Sequence, residues 1–217
     1  MEQTQATQVV RARQVLHALA EQLLAGPQHR TTGEIALAVT DGGFATTASP
    51  GGGLERLEVR AGGVHAEPGG REVPLGRPVR SLAAVLGVRP GIPVNLYLEH
   101  AELGPDDDLG ADPAALSVVL GALSDGAAAL RALAPDETPV LWPEHFDVGL
   151  SVDEVNYGVS PGDAGHDLPY AYVGPWTPRT GDFWNEPFGA SRPLTQLAGV
   201  DGILAFFLEG RELAAGT

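Results

Sequence analysis

Cysteine and lysine are both missing from this chain of 217 residues, whose 13 basic side chains are all arginines. Without cysteine the chain forms no disulfide, offers no thiol nucleophile and cannot build a cysteine-ligated zinc site. Without lysine it has neither the lysine of a phosphate-binding P-loop nor a Schiff-base nucleophile. These two absences exclude several enzyme classes from the sequence alone.

Basic charge is scarce overall, because 28 acidic residues outnumber the arginines and the formal net charge is −15. Such a surface repels phosphate backbones and anionic lipids, so we expect no nucleic acid partner and no membrane surface. The longest apolar tract, 113–134, is interrupted by Asp125 and Arg131, and residues 1–14 lack a signal-like apolar run. We therefore expect a cytoplasmic protein whose partner is a small molecule or another protein.

Hydrophobic periodicity and turn residues predict a mixture of helices and short strands. Helical spacing of apolar residues predicts helices at 5–25, 78–86, 113–134 and 202–213. Alternating patterns bounded by turn residues predict strands at 34–40, 44–48, 54–60, 64–67, 71–75, 92–99, 140–153 and 170–173. We expect Gly26-Pro27 to end the first helix and Asp201 to cap the last.

Together these elements predict a single globular α+β domain, residues 1–217, with an antiparallel β-sheet and helices packed against it. Each half begins with a helix and enters an alternating strand, so the chain also fits two similar helix-plus-strand halves, 1–108 and 109–217. The helix at 113–134 is apolar nearly all round and is therefore expected to be a core helix.

The candidate site lies in residues 142–188, where aromatic and acidic side chains are concentrated. These 47 residues hold all three Trp, three of the four Tyr, three of the six Phe and eight carboxylates. Such a composition is typical of a recognition surface or a metal-binding cleft, and equally of an irregular part of the core with solvated loops.

Within that stretch, His145 and Asp147 are two residues apart on the predicted strand 140–153 and therefore share its polar face. His166 arrives from a later loop, and the three side chains form a candidate N/O site for a divalent metal. A hydrogen bond from His145 to a neighbouring carboxylate, or acid–base catalysis without metal, remains an alternative.

Aromatic side chains supply candidate walls for a pocket. Trp142, Tyr172 and Trp176 are the residues we expect to contact an apolar or cationic ligand, because their faces attract cations and nearby carboxylates add to that attraction. Tyr170 and Trp184 are further candidates for the same lining. Packing of an irregular lobe is the alternative role. If the protein is an enzyme, Glu154 or Glu186 is the candidate general base.

The segment Trp142 to Asp147, W-P-E-H-F-D, resembles the W-P-x-H-F-D motif of an uncharacterised bacterial family of unknown function. That resemblance also implies a Tyr-rich stretch and a G-x-W element, which here are 170–172 and 174–176. A second histidine is expected beside the first in that family, and Glu144 stands there in this chain. The resemblance implies no known activity.

The sequence therefore favours a small-ligand-binding or metal-binding domain with an aromatic and acidic site in 142–188. A metal-dependent hydrolase-type enzyme using the same His and Asp ligands is the first alternative. A protein-interaction module with exposed aromatics and an acidic rim is the second.

Overall fold

The computed structural model describes residues 2–98 and 100–216. The helices are α1 (Glu2–Ala18), a π-helix (Leu19–Ala25), α2 (Gly26–Thr32), α3 (Val79–Leu86), α4 (Pro113–Leu133), a 3₁₀ turn (Leu194–Gln196) and α5 (Gly199–Ala215). The strands are β1 (Leu37–Thr40), β2 (Gly43–Thr46), β3 (Arg56–Arg60), β4 (Gly63–Glu67), β5 (Arg71–Pro74), β6 (Val140–Trp142), β7 (Asp147–Val152), β8 (Val155–Ser160), β9 (Tyr170–Pro175) and β10 (Ala190–Pro193).

In the described part of the chain, the strands form one antiparallel sheet in the order β10-β9-β8-β7-β6-β1-β2-β3-β4-β5. The predicted α+β class is therefore confirmed. Strands β1 to β5 form one meander and β6 to β10 a second, each preceded by a helix and followed by one. The two meanders meet where β1 pairs with β6, through the register pair Leu37 and Leu141.

One face of this sheet carries the helices and the main core. Helix α4 packs on β7 and β8 and also contacts α1 and α5. The approach is close because Gly126 has no side chain, and a Cβ there would lie 2.6 Å from Val159. Asp112 caps α4 by accepting from the amides of Ala114 and Ala115. The predicted core helix is confirmed, and although it is long and apolar enough to span a bilayer, more than half of it is buried within the protein.

The first helix does not end at Gly26-Pro27, contrary to the prediction. The helical path continues through the π-helix into α2, where the amide of Gly26 donates to Glu21 O. Pro27 has no amide to donate to the next carbonyl, Gln22 O, and the amide of Gly91 donates to that carbonyl instead at 2.9 Å. The helical path therefore continues through Pro27, because the π-helix has a wider hydrogen-bond spacing and the Gly91 amide replaces the missing donor.

The predicted strand at 92–99 is absent from the described residues 92–98, and residue 99 lies outside them. Asn95 has φ +64°, which interrupts an extended strand, and Leu98 is 97% exposed. This stretch belongs to the α3–α4 connection, which runs over residues 88–98 and 100–111. Glu21 and Gln22 bind the connection to the π-helix by accepting from the Ala101 amide and donating to Leu103 O.

The predicted long strand at 140–153 is a hairpin. Strands β6 and β7 pair with Trp142 opposite Asp147, and residues 143–146 form the turn between them. Phe146 takes φ +51° at the end of this turn while its ring is buried. His145 consequently lies in a turn, and it does not share a strand face with Asp147.

The final helix, α5, begins at Gly199 with Ala198 at the N-cap position, so Asp201 lies in the first turn and does not cap it. Phe206 and Phe207 are buried as expected, whereas Leu208 is exposed. A helix on one face of a sheet buries only a stripe of its side chains.

Candidate functional site

The principal cleft lies over one face of the second meander, and it extends from the end where β6 turns into β7, β8 ends and β9 begins to the opposite end of β9 at Trp176. Its volume is about 780 Å³, and it is walled by the 143–146 turn, the loop 162–165 and the aromatic pair Trp176 and Phe188. A second hollow of about 540 Å³ adjoins it along β6 and β7. The two share the residues Glu144, His145, Asp147, Asn156 and Tyr172.

Tyr172 forms the floor of the cleft by lying across two neighbouring strands. It pairs in register with Gly158, which pairs with Gly149, so the three residues form a row across β9, β8 and β7. A Cβ at Gly158 would lie 2.4 Å from the Tyr172 ring, and one at Gly149 would lie 3.0 Å from its hydroxyl. Two glycines therefore make the channel through which this tyrosine reaches Asp147.

Asp147 lies at the end of that channel and is only 8% exposed. Its Oδ2 accepts a hydrogen bond from the Tyr172 hydroxyl, whereas its Oδ1 has no hydrogen-bond partner in residues 2–98 and 100–216. Burial raises the pKa of Asp147, against the opposing effects of Tyr172 and His145. The pKa of Tyr172 is raised as well, first by burial and then by the Asp147 charge.

A second buried acceptor lies beside Asp147. Oε2 of Glu144 is closed to solvent and has no hydrogen-bond partner among the described residues. Glu144 also contributes to raising the pKa of Asp147. Buried polar atoms in folded proteins almost always have partners, so two unpaired carboxylate oxygens in one cleft are unusual.

Tyr170 closes the cleft on the side of the 162–165 loop. Its hydroxyl donates to Asp163 Oδ2, while Asp163 Oδ1 accepts from the amides of Gly165 and His166 at 2.7 and 2.8 Å. Burial acts to raise the pKa of Asp163, but these three hydrogen bonds outweigh it and the pKa lies below its ordinary value. Asp163 is thus a satisfied carboxylate, unlike Asp147.

Helix α1 forms the wall facing these loops. Nη1 of Arg13 donates to His166 O at 3.3 Å, and Nε2 of His17 donates to Pro143 O at 2.8 Å. The His17 ring also stacks on Phe146, with ring centroids 5.4 Å apart. Burial lowers the pKa of His17, so its ring is held neutral in the folded protein.

Trp142, Tyr172 and Trp176 were predicted to be pocket walls, and all three line these hollows. Trp176 and Tyr172 line the principal cleft, and Trp142 lines the adjoining one together with Tyr172. Trp176 is 63% exposed, and its Nε1 donates to Asn156 Oδ1 at 3.1 Å, which fixes the ring over the strand. Phe188 lies edge-on to Tyr172 with centroids 6.4 Å apart.

The predicted metal ligands do not come together as a metal-binding group. Among the described residues, no group of three or more His, Cys, Asp and Glu is placed to hold a metal ion. His145 and Asp147 line the cleft, but Nε2 of His166 contacts Glu186 Oε1 at 3.2 Å and the His166 ring packs on Tyr170. The hairpin at 143–146 is the physical reason, because it removes the shared strand face on which the prediction depended.

Neither candidate general base lines the cleft. Glu154 lies in the turn between β7 and β8 with φ +59°, and its carbonyl accepts from the Trp176 amide. Glu186 accepts from the Ser191 hydroxyl at 2.8 Å, in addition to its contact with His166.

The sequence analysis missed Arg13, His17 and Glu144 as cleft residues. Arg13 and His17 are four apart and therefore on one helix face, so that signal was present in the chain. Nothing local indicates that α1 packs against a loop some 150 positions later, as the contact between Arg13 and His166 shows.

Comparison with protein-family models, with curated proteins and with solved structures found no match to this chain.

Proposed function

We propose that this protein binds a small organic cation, an amine with an apolar or aromatic body, in the cleft over the second meander. The observation that carries this proposal is the buried Asp147 carboxylate, with one oxygen bonded to Tyr172 and the other without a partner. An ammonium group supplies both the missing donor and the missing counter-charge.

The surroundings of Asp147 favour a cation over a neutral or anionic ligand. Among residues 2–98 and 100–216, four carboxylates line the cleft, namely Glu102, Glu144, Asp147 and Asp163. The formal net charge of −15 adds a long-range attraction for cations over the whole molecule.

The aromatic walls favour a ligand with an apolar body. The exposed faces of Trp176 and Phe188 border the cleft, and Tyr172 forms its floor. Aromatic faces attract cations and also bury flat apolar groups. A volume of about 780 Å³ is within the usual size of a small-molecule pocket.

The test is a binding comparison between phenethylamine, 2-phenylethanol and phenylacetate, which share a body and differ in charge. Isothermal titration calorimetry on the whole protein should detect the amine, and Asp147→Asn should weaken it by about tenfold or more. Asp182→Asn is the matched control, because this exposed acid of the same stretch does not line the cleft. Equal binding of all three compounds, or none by the amine, would overturn the proposal.

A further inference from the structure

We infer that Arg13 makes the cleft selective for small amino carboxylates, so that the ligand class is the free amino acids and their close analogues. This inference depends on the proposed binding of an amine at Asp147. It adds a second charged contact in the same cleft, one that recognises a carboxylate.

Arg13 lines the cleft, and its guanidinium makes few hydrogen bonds with the protein. Its one hydrogen bond in the described residues is the 3.3 Å contact from Nη1 to His166 O. A guanidinium has five N–H donors in a planar fork that matches a carboxylate in a bidentate way. Guanidinium N–H donors that face a cleft can bind an anionic group of a ligand.

Among the described residues, five of the 13 arginines form an ion pair with a carboxylate, and the other eight, Arg13 among them, form none. Arg60 pairs with Glu58 at 2.9 Å, Arg80 with Asp106 at 2.6 Å and Arg211 with Asp153 at 2.6 Å. In residues 2–98 and 100–216 no such ion pair is formed by Arg13, although 28 acids are present in the chain. Its separation from the protein's own acids leaves its charge available to a ligand.

Asp163, which lines the same cleft, does not compete for Arg13. Its oxygens accept from the Tyr170 hydroxyl and from two backbone amides, so its acceptor capacity is directed into its own loop. Arg13 instead lies against the backbone of that loop, since a Cβ on Gly162 would be 2.4 Å from Nη1. Gly162 has φ +114°, a conformation that glycine adopts readily, so the loop and the guanidinium are fitted to each other.

The cleft therefore carries incompletely paired groups of both kinds, acceptors and donors. Asp147 and Glu144 present unpaired acceptors from the sheet and the hairpin turn, and Arg13 presents unpaired donors from α1. A simple amine satisfies the acidic side and leaves Arg13 unmatched. A ligand that carries both an ammonium and a carboxylate satisfies both, while its side chain lies against Trp176 and Phe188.

The test compares each amino acid with the amine that has lost only its carboxylate: phenylalanine with phenethylamine, and tryptophan with tryptamine. In the unaltered protein we expect each amino acid to bind about tenfold more tightly than its amine. Phenylalanine methyl ester, which keeps the ammonium but lacks the anionic charge, should bind like the amine. This last comparison requires no substitution in the protein.

Arg13→Gln should remove the preference for the amino acid and leave the affinity for the amine unchanged or higher. Arg11→Gln is the matched control on the same helix, because Arg11 donates to Gly110 O and does not line the cleft. Arg13→Met, which retains an apolar stem, separates loss of charge from loss of packing. Melting curves of all variants establish that they are folded.

The outcomes distinguish this inference from the proposed function. Amine binding that depends on Asp147, with no gain from the carboxylate or a gain that survives Arg13→Gln, overturns the role of Arg13 and leaves the cation site standing. Failure of both amines and amino acids to bind overturns both proposals together.

Discussion

Glu58 and Asp147 lie on the same face of one sheet, one in each meander, and are held in opposite electrostatic settings. They are 5% and 8% exposed, and their strand neighbours Val59 and Val148 point into the core on the other face. Glu58 accepts from Thr40 and from Arg60. Burial acts to raise its pKa, but these contacts outweigh burial and the pKa is lowered.

Asp147 has no such cationic partner from the sheet, and burial raises its pKa. The protein can evidently satisfy a buried carboxylate on this face, as it does at Glu58. The buried Asp147 carboxylate, with one unpaired oxygen, therefore lowers the stability of the folded protein. Binding sites commonly contain groups of this kind.

Asp147→Asn should stabilise the ligand-free protein at neutral pH, by on the order of 1 kcal/mol, because it removes a buried charge. An acid whose folded pKa is raised binds more protons when folded, so stability falls as pH rises from about 4 through the folded pKa. The advantage of the variant should therefore disappear below about pH 4. Urea unfolding at pH 3.5 and pH 7 measures this, and a variant less stable at pH 7 would contradict the assignment.

Tyr172→Phe should destabilise the protein by about 1–3 kcal/mol at pH 7, because it leaves Asp147 Oδ2 buried without its donor. Tyr157→Phe is the matched control. Its hydroxyl is buried without a hydrogen-bond partner in the described residues, so its removal should cost nothing or stabilise slightly. Equal losses in the two variants would show that the space left by the removed hydroxyl, not its hydrogen bond, determines the effect.

Gly158→Ala should displace the Tyr172 ring, because the new Cβ, which is fixed to strand β8, would lie 2.4 Å from that ring. We expect a loss of about 1–3 kcal/mol in stability and loss of amine binding. Gly121→Ala, at an exposed position of α4 with nothing within 4 Å of the new Cβ, should instead stabilise the helix by about 1 kcal/mol. Melting temperatures and calorimetric titrations of both variants provide the comparison.

His17 should make the protein less stable in mild acid. Burial lowers its pKa, so the unfolded chain takes up the proton first, and the stability present above about pH 6.5 is lost as pH falls below that value. His17→Gln, which can still donate to Pro143 O, should flatten the dependence between pH 5 and 7. Denaturation in urea at these two pH values measures the slope, and an unchanged slope would assign it to another group.

The sheet was largely predictable because its turns are marked by glycine. Asp41-Gly42 and Gly69-Gly70 both end alternating runs, and a strand cannot continue through them without loss of pairing. The turn at 143–146 has no such mark, and its positive φ falls on Phe146, a residue that rarely adopts it. An alternating pattern on both sides of an unmarked turn is indistinguishable from one long strand.

The aromatic walls were predictable and the charged partners were not. Tyr172 and Trp176 lie in the same aromatic-rich and acidic stretch, 142–188, as the W-P-E-H-F-D segment. Arg13 reaches the cleft only through the packing of α1. The predicted metal ligands do not form a group in the part of the chain that the structure describes, because the 143–146 turn removes the strand face that His145 and Asp147 were expected to share. Burial and neighbours from distant segments determine which carboxylate remains unpaired. The composition of a local stretch does not predict either of them.

The pairing of Leu37 with Leu141 at the centre of the sheet has an evolutionary consequence. Two units, each with a helix, a meander and a closing helix, are joined there edge to edge, as two copies of a half-length ancestor would join in a symmetric dimer. Duplication and fusion of such an ancestor would free one copy to diverge. In the present chain the first unit carries a buried acid with partners at Glu58, and the second carries the cleft at Asp147, whose pKa burial raises.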